Sequence, residues 1–256
     1  MQTSEIYYHA PYRILLENLE FVEFNKINCE IYLDAAAIET HKNEEIKKIN
    51  DVFKKSNIKK IAHGPFMDLN IGSFDPSVRQ LSQKRYMQAL DICKKLQAPN
   101  IVLHTGFHPV FYRRHIDEWM SRALKTMEPV VKMALKEKVR ICIENSIDHS
   151  PEISIELVKK IGAFEVLACF DIAHCNVFTE LPVMECFKQY PPEIIGEIHL
   201  SDNKGEFDDH LALGEGSINF KEFFDEINRL KIKPLITVEP HSMQDIPKSA
   251  NYLSAI

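Results

Sequence analysis

Short runs of apolar residues recur along this chain, and longer stretches with apolar residues at helical spacing lie between them. Eight runs are rich in β-branched or aromatic residues, and they cover residues 5–9, 29–33, 60–63, 100–104, 139–144, 166–171, 194–200 and 235–239. Four of them, I-V-L-H, V-R-I-C-I-E, V-L-A-C-F-D and L-I-T-V-E, are apolar almost throughout and end on a polar residue. Such runs are typical of parallel strands that are buried on both faces.

The stretches between the runs predict amphipathic helices. The clearest covers residues 75–96, where Asp75 is a favoured N-cap, Pro76 takes the first helical position, and apolar residues follow at roughly helical spacing. Similar patterns cover residues 13–26, 43–55, 116–136, 151–160, 181–190 and 218–230, and a short helix is expected after the last run. Strands and helices that alternate in this way predict βα units around a parallel sheet. Because no linker or low-complexity tract interrupts the pattern, residues 1–256 are predicted to form one (β/α)₈ barrel, an α/β fold with a single domain.

Composition and charge narrow the function classes. The chain has 256 residues, of which 45% are hydrophobic and 27% are charged, so one large core can form without disulfides. Its 31 basic and 37 acidic residues give a net charge of -6, and no basic field indicates non-specific binding to nucleic acid. A bound metal ion would still allow contact with a phosphate, because such an ion is the largest charge in its surroundings.

The cysteines and the N-terminus predict a cytoplasmic protein. The six cysteines are scattered with no C-x-x-C pair, so they are expected to be reduced and mostly in the core. Residues 1–5 are polar and are not followed by the apolar stretch of a signal peptide. No apolar stretch approaches the ~18 residues that a membrane-spanning helix needs. No membrane partner is therefore expected.

Ionisable residues stand at the ends of most predicted strands, and in a (β/α)₈ barrel those ends meet at one mouth. They are His9, His63, His104, Glu144, Asp171, His199 and Glu239. Three further candidates follow in the adjoining loops: His174, Asp208 and His210. Imidazole nitrogens together with carboxylate oxygens suit Zn, Mn or Fe, and the absence of cysteine from the set favours Zn or Mn. The sequence thus predicts a divalent metal centre at the mouth.

Each of these residues also has a purely structural interpretation. A single histidine at a strand end is more often a hydrogen-bonded residue of the barrel rim than a ligand. Five histidines are interpreted in that way: His9, His108, His115, His149 and His241. Glu144 and Glu239 follow strongly apolar strands, where a partly desolvated carboxylate requires a cation or a hydrogen-bond partner. A functional role is therefore favoured for these two glutamates.

Seven segments between His63 and Glu239 resemble the endonuclease IV family, which lies within the xylose isomerase-like barrels. They are H-G-P-F-M-D-L-N-I-G (63–72), I-V-L-H-T-G (101–106), I-C-I-E-N-S (141–146), C-F-D-I-A-H (169–174), I-H-L-S-D-N-K (198–204), D-D-H-L-A-L-G-E-G (208–216) and I-T-V-E-P (236–240). The resemblance implies counterparts of all nine metal ligands of that family and up to three Zn ions. One ion would be held by His63, His104 and Glu144, a second by Glu144, Asp171, His199 and Glu239, and a third by His174, Asp208 and His210.

The resemblance leaves two enzymatic functions open. The first is hydrolysis of a phosphoester, with nucleic acid containing an abasic site as the implied substrate. Glu144 would bridge the two ions that activate water, and Glu239 would bind and orient. Phe66 and Met67 take the positions of the family's apolar wedge, and Lys204 is a candidate contact to a phosphate or a sugar oxygen.

The alternative is a sugar or sugar-phosphate isomerase or epimerase. Such enzymes resemble the chain through a subset of the ligands around a single ion, namely Glu144, Asp171, His199 and Glu239. Glu144 and Glu239 would then move a proton between adjacent carbons. The acidic charge balance favours this alternative, as does the segment at 34–40, which lacks the arginine- and aromatic-bearing loop with which endonuclease IV enters DNA. A non-enzymatic metal-binding module is disfavoured, because ligands at a barrel mouth normally leave a coordination position open for substrate.

Overall fold

Eight parallel strands pair in chain order, and the last strand pairs with the first to close the sheet. The structure is a computed structural model and describes residues 6–256. Its strands are β1 (Ile6–Pro11), β2 (Asn28–Tyr32), β3 (Lys60–His63), β4 (Asn100–His104), β5 (Arg140–Glu144), β6 (Val166–Asp171), β7 (Ile195–Leu200) and β8 (Leu235–Val238). The closed parallel barrel with its helices confirms the predicted (β/α)₈ fold class.

Helices connect the strands and cover the outside of the barrel. They are α1 (Tyr12–Glu17), α2 (Leu19–Asn25), α3 (Ala35–Thr40), α4 (Asn43–Ser56), α5 (Pro76–Lys95), α6 (Pro109–Tyr112), α7 (Ile116–Glu137), α8 (Glu152–Ile161), α9 (Ile172–Phe178), α10 (Val183–Phe187), α11 (Phe220–Leu230) and α12 (Ile246–Ala255). Short 3-10 helices lie at Pro192–Ile194 and Met243–Asp245. Within residues 6–256, no helix combines the length and the apolar character that crossing a membrane requires.

The structure differs from the predicted pattern in a few places. The helix predicted over residues 13–26 is divided at Asn18, whose φ of −116° and ψ of 19° leave the helical conformation. The short helices α3, α6 and α9 have no counterpart in the pattern, because four to seven residues are too few to show a helical period. The first predicted run starts at Glu5, which lies outside the described residues. β8 ends one residue before Glu239.

The core lies between the barrel and the helices, and α5 shows how the sequence builds it. The Asp75 carboxylate accepts a hydrogen bond of 2.7 Å from the Ser77 N–H and caps the first turn. One face of α5 is buried, and Tyr86 on that face donates a hydrogen bond of 2.6 Å to the carbonyl of His104. The helix is thereby attached to the end of β4, where a predicted ligand stands.

Candidate metal centre

The C-terminal ends of the strands bring the predicted ligands to one mouth of the barrel. Side chains alternate along a strand, so residues two apart face the same side. Val102, Cys142 and Cys169 pack together as a small apolar cluster. The residue two positions later on each of their strands is a predicted ligand: His104, Glu144 and Asp171. The strand register then places His104 beside Glu144 and Asp171 beside His199.

Four of these ligands lie side by side and are almost completely buried. Glu144, Asp171, His199 and Glu239 are each at most 6% exposed. His199 Nδ1 lies 3.5 Å from Glu144 Oε2 and 3.2 Å from Glu239 Oε1. Burial raises the pKa of Asp171 to about 7; the charge of His174 opposes this shift, and the charges of Glu239 and Glu144 add to it. Burying several carboxylates so close together lowers the stability of the folded state unless a cation lies between them.

Unpaired atoms at this position test whether the residues fit a metal ion. Asp171 Oδ2 and His199 Nδ1 are buried, and neither has a hydrogen-bond partner in the described part of the chain. A buried polar atom without a partner costs ~1–3 kcal/mol. Carboxylate oxygen and imidazole nitrogen are ligands that Zn, Mn and Fe accept. The residues present therefore fit a divalent ion.

Glu144 contacts histidines on three sides. Its Oε2 lies 3.2 Å from His63 Nε2 and 3.0 Å from His104 Nε2, and its Oε1 lies 3.3 Å from His174 Nδ1. Burial acts to raise the pKa of the Glu144 carboxyl, but the charges of His104 and His199 and the hydrogen bond from His104 hold it well below its usual range. Glu144 is thus a fully buried residue in its ionised form.

A second cluster adjoins the first and consists of His174, Asp208 and His210. His174 Nδ1 donates a hydrogen bond of 2.9 Å to the carbonyl of Asn145, so its Nε2 faces Asp208 Oδ2 at 3.3 Å. His210 Nε2 lies 3.2 Å from the same oxygen, while Asp208 Oδ1 is buried and has no hydrogen-bond partner within the described residues. Burial acts to lower the pKa of His210, but the hydrogen bond with Asp208 and the charge of Glu239 raise it to about 9.

The buried carboxylate of Asp202 holds the loop at 208–216, which carries Asp208 and His210 of this second cluster, in its conformation. One of its oxygens accepts hydrogen bonds of 2.9 Å from the N–H groups of both Gly214 and Gly216. Glycine is needed at both positions, because Gly214 has a φ of 88° and a Cβ on Gly216 would lie 2.3 Å from the carbonyl oxygen of Asn203. The glycines of G-E-G therefore serve the geometry of the loop.

A cavity of about 310 Å³ opens over the ligands, and aromatic rings form part of its wall. Phe66 stacks on His104 with 4.7 Å between ring centroids and lies 5.4 Å from Tyr32. Phe178 and His9 also line the cavity. Burial lowers the pKa of His9 to about 4, so this ring is neutral near pH 7. A larger hollow of about 690 Å³ lies elsewhere and has none of the predicted ligands in its lining.

The structure brings all nine predicted ligands together but separates the three predicted substrate contacts. Phe66 lines the cavity. Met67 is 71% exposed and Lys204 is exposed, and neither belongs to the cavity wall. His9, which the sequence interprets as a structural residue of the barrel rim, also lines this cavity. Of the three predicted substrate contacts, Phe66 is therefore the one that the fold places at the cavity.

Two buried acidic residues in this region are not among the site residues predicted from the sequence. Glu30 on β2 and Glu197 on β7 are both fully buried, and both lie near His199. The sequence does contain a signal for Glu197. It precedes His199 by two residues on the same strand, and side chains two residues apart on a strand face the same side. Glu30 interrupts an apolar run, and an acidic residue in a buried strand requires a polar partner.

The chain is similar in sequence to a known family and to several individual proteins. The sequence model of the family described as xylose isomerase-like TIM barrel matches residues 21–256. The uncharacterised protein MJ1311 of Methanocaldococcus jannaschii is 27% identical over 217 residues, which cover 82% of this chain and 74% of that protein. The D-psicose 3-epimerase of Ruminiclostridium cellulolyticum is 25% identical over 130 residues, which cover 46% of this chain and 43% of the enzyme.

Solved structures share the complete barrel. The TTHB071 protein from Thermus thermophilus, whose structure comes from soaking with ZnCl2, superposes with a TM-score of 0.83 at 26% identity, covering 98% of this chain and 97% of that one. A D-tagatose 3-epimerase-like protein superposes with a TM-score of 0.81 at 23% identity, covering 97% and 96%. At 23% identity, the second likeness is evidence of the fold alone.

Proposed function

The chain belongs to the xylose isomerase-like TIM barrel family, and from this membership and the geometry of the mouth we propose that it is a divalent-metal-dependent sugar epimerase or isomerase. The observation that carries the proposal is the buried group of Glu144, Asp171, His199 and Glu239, in which ligand atoms of Asp171 and His199 find no hydrogen-bond partner among residues 6–256. The sequence similarity to D-psicose 3-epimerase supports the same class. The four residues would hold one ion.

The residues around this group suit proton transfer on a sugar. When bound, a divalent ion supplies Lewis-acid polarisation of the carbonyl and hydroxyl oxygens of the sugar. Glu144 and Glu239 are both ionised, because neighbouring histidines hold the pKa of each carboxyl well below its usual range against the opposing effect of burial. One carboxylate can therefore accept the proton from the carbon next to the carbonyl. The other must first take up a proton from water, which it can then deliver to the opposite face of that carbon.

The cavity favours a neutral monosaccharide over a sugar phosphate. Its volume of about 310 Å³ is close to the lower end of the ~300–1,000 Å³ that small-molecule sites span. None of the described residues that line it is lysine or arginine, and Lys204 is exposed outside it. Tyr32, Phe66 and Phe178 offer apolar surface for the C–H face of a sugar ring. The wall therefore offers a phosphate no lysine or arginine among the described residues.

Conversion of a free ketose is the direct test of this proposal. The purified protein, supplied with Zn or Mn, is expected to convert a D-ketohexose to its epimer. In D₂O, solvent deuterium is expected at the carbon next to the carbonyl, because the carboxylate that accepts the proton exchanges it with the solvent. Proton NMR measures both. Cleavage of abasic-site DNA without any turnover or deuterium exchange across a panel of ketoses and aldoses would reject the proposal.

One observation favours the second candidate function, hydrolysis of a phosphoester. His63, His104, His174, Asp208 and His210 lie at the same mouth, and they complete the set of nine that would hold up to three Zn ions. The loop after β2 weighs against it, since α3 occupies residues Ala35–Thr40 with no arginine or aromatic residue. Sugar chemistry needs only the four buried ligands, and we favour it for this reason.

Metal content separates the two candidate functions. His210→Ala is expected to leave the metal content per chain unchanged, because the proposed single ion is held by four other residues. His199→Ala is expected to remove the ion, since it deletes the imidazole that faces both Glu144 and Glu239. Elemental analysis of the wild type and both variants measures this. Three ions in the wild type, with one lost in His210→Ala, would favour the hydrolase.

A further inference from the structure

A layer of polar side chains lies inside the barrel beneath the metal ligands. Glu30 on β2, Asn100 on β4, Glu197 on β7 and Thr237 on β8 are at most 2% exposed. Two carboxylates in a protein interior are unfavourable unless hydrogen bonds satisfy their oxygens. The hydrogen-bond partners of each carboxylate therefore indicate which side chain it orients.

Glu197 is satisfied within the layer itself. Its Oε2 accepts a hydrogen bond from the Asn100 side-chain amide, and its Oε1 accepts one of 3.0 Å from the Thr237 hydroxyl. His199 Nε2 lies 3.7 Å from Glu197 Oε1, which is beyond hydrogen-bond distance. Glu197 consequently depends little on His199 for its partners.

Glu30 depends on His199. Its Oε2 lies 3.3 Å from His199 Nε2 and 3.0 Å from the Thr237 hydroxyl, whereas its Oε1 is buried and no described residue offers it a hydrogen bond. Thr237 has a single hydroxyl proton, so it cannot donate to Glu30 and Glu197 at the same time. When it donates to Glu197, the ring of His199 is the remaining donor to Glu30 in the described part of the chain.

The two nitrogens of His199 thus face different surroundings. Nε2 faces Glu30 inside the barrel, and Nδ1 faces Glu144 and Glu239 at the mouth. A neutral imidazole carries its proton on one nitrogen and binds a metal through the other. An acceptor on the far nitrogen fixes the ring orientation and the tautomer of a metal-binding histidine.

We propose that Glu30 is a positioning residue, which accepts the Nε2–H of His199 and thereby presents Nδ1 to a divalent ion. The inference rests on the proposed function in one respect, namely that His199 binds the ion. The Thr237 hydroxyl lies between the carboxylates of Glu30 and Glu197, and Asn100 donates to Glu197. Glu30 does not line the cavity, and in the proposed role it acts through His199.

Substitution of Glu30 separates this role from simple packing. Glu30→Leu removes the acceptor and keeps an apolar side chain of similar size, so it is expected to weaken metal binding by about 10–100-fold. The metal-free variant is expected to unfold at a lower temperature than the wild type, because the buried Nε2–H of His199 loses its acceptor. Glu30→Gln retains an acceptor oxygen and is expected to bind the ion within about threefold of the wild type. Calorimetric titration with Zn or Mn and thermal unfolding of the metal-free proteins measure both quantities.

Glu197→Gln is the matched control, because it removes one charge from the same layer at the same burial. It is expected to bind the ion within about threefold of the wild type, since the glutamine oxygen can accept from the Asn100 amide while its NH₂ donates to the Thr237 hydroxyl oxygen. If Glu197→Gln weakened binding as much as Glu30→Leu, charge rather than orientation would be responsible and the inference would be wrong. Wild-type affinity in a folded Glu30→Leu, or a folded Glu30→Gln that binds the ion as weakly as Glu30→Leu, would also overturn it.

A spectroscopic readout requires no folded Glu30 variant. In the wild-type protein loaded with Zn, nitrogen NMR of labelled histidine is expected to show a proton on Nε2 of His199 and none on Nδ1. The His199→Gln spectrum assigns the signal. A proton on Nδ1 would refute the positioning role while leaving the proposed function standing. A wild-type protein that binds no divalent ion would refute both, and ketose turnover is not needed for either readout.

Discussion

Replacing Glu144 by glutamine is expected to lower sugar turnover by about 10²–10⁴-fold, the range that a positioned acid or base contributes. Glutamine keeps the shape of the side chain but cannot accept a proton from carbon, and it attracts a cation far less strongly. Glu144 is fully buried, ionised and in contact with His63, His104 and His174. The turnover number of the variant at saturating ion, measured on the ketose that the wild type converts, gives the effect.

The control for this experiment is Glu156→Gln, the same chemical change on the outer helix α8. The Glu156 side chain is 48% exposed and has Lys159 and Lys160 as its ion-pair partners, each at 3.8 Å. Its substitution is expected to leave turnover unchanged. Circular dichroism and the unfolding temperature establish that both variants fold. Near wild-type turnover in a folded Glu144→Gln protein would exclude Glu144 from the reaction.

Removal of divalent ions by a chelator is expected to abolish sugar turnover and to lower the unfolding temperature, and both should return with added ion. Ligand that binds only the native state stabilises it, by ~2.7 kcal/mol when its concentration is a hundred times the Kd. The physical reason here is the crowding of Glu144, Asp171 and Glu239, whose burial and mutual repulsion an ion relieves.

Scanning calorimetry of the chelated protein against increasing Zn or Mn measures this stabilisation. Asp171→Asn is the control, because it removes one charged ligand while Asn keeps an oxygen that can accept the His174 N–H bond that Asp171 holds at 2.6 Å. Its unfolding temperature is expected to respond less to the ion. Stability that is independent of the ion in the wild type would exclude a metal centre built from these residues.

The pattern of the chain predicts the barrel because its signal is local. Each run of apolar residues and each helical stretch needs only its own residues to be recognised, and right-handed βα units leave few ways to arrange eight of them. The division at Asn18 and the short helices α3 and α9 escape this pattern. α9 begins where the Asp171 side chain caps it, so a predicted ligand is also the signal that starts a helix.

The ligands are also predicted from the sequence, since a parallel barrel brings all strand ends to one mouth whatever its details. Asp208 and His210 are predicted from their place in a loop beyond a strand end and from the motif resemblance. The structure adds that the carboxylate of Asp202 holds this loop in place through the N–H groups of Gly214 and Gly216. Which of the predicted substrate contacts faces the cavity is not readable from the sequence. Phe66 and Met67 are neighbours in the chain, yet the first lines the cavity and the second is 71% exposed.

The sequence by itself determined the barrel, the order of its strands and the chemistry of its mouth, because periodicity and strand ends are properties of short segments. Only the tertiary structure decided what stands behind that mouth. Glu30 and His199 are 169 residues apart, and their 3.3 Å contact exists because β1 pairs with both β2 and β8 when the sheet closes. An acidic residue in an apolar run shows that it needs a partner, but closure of the barrel selects that partner from a distant strand.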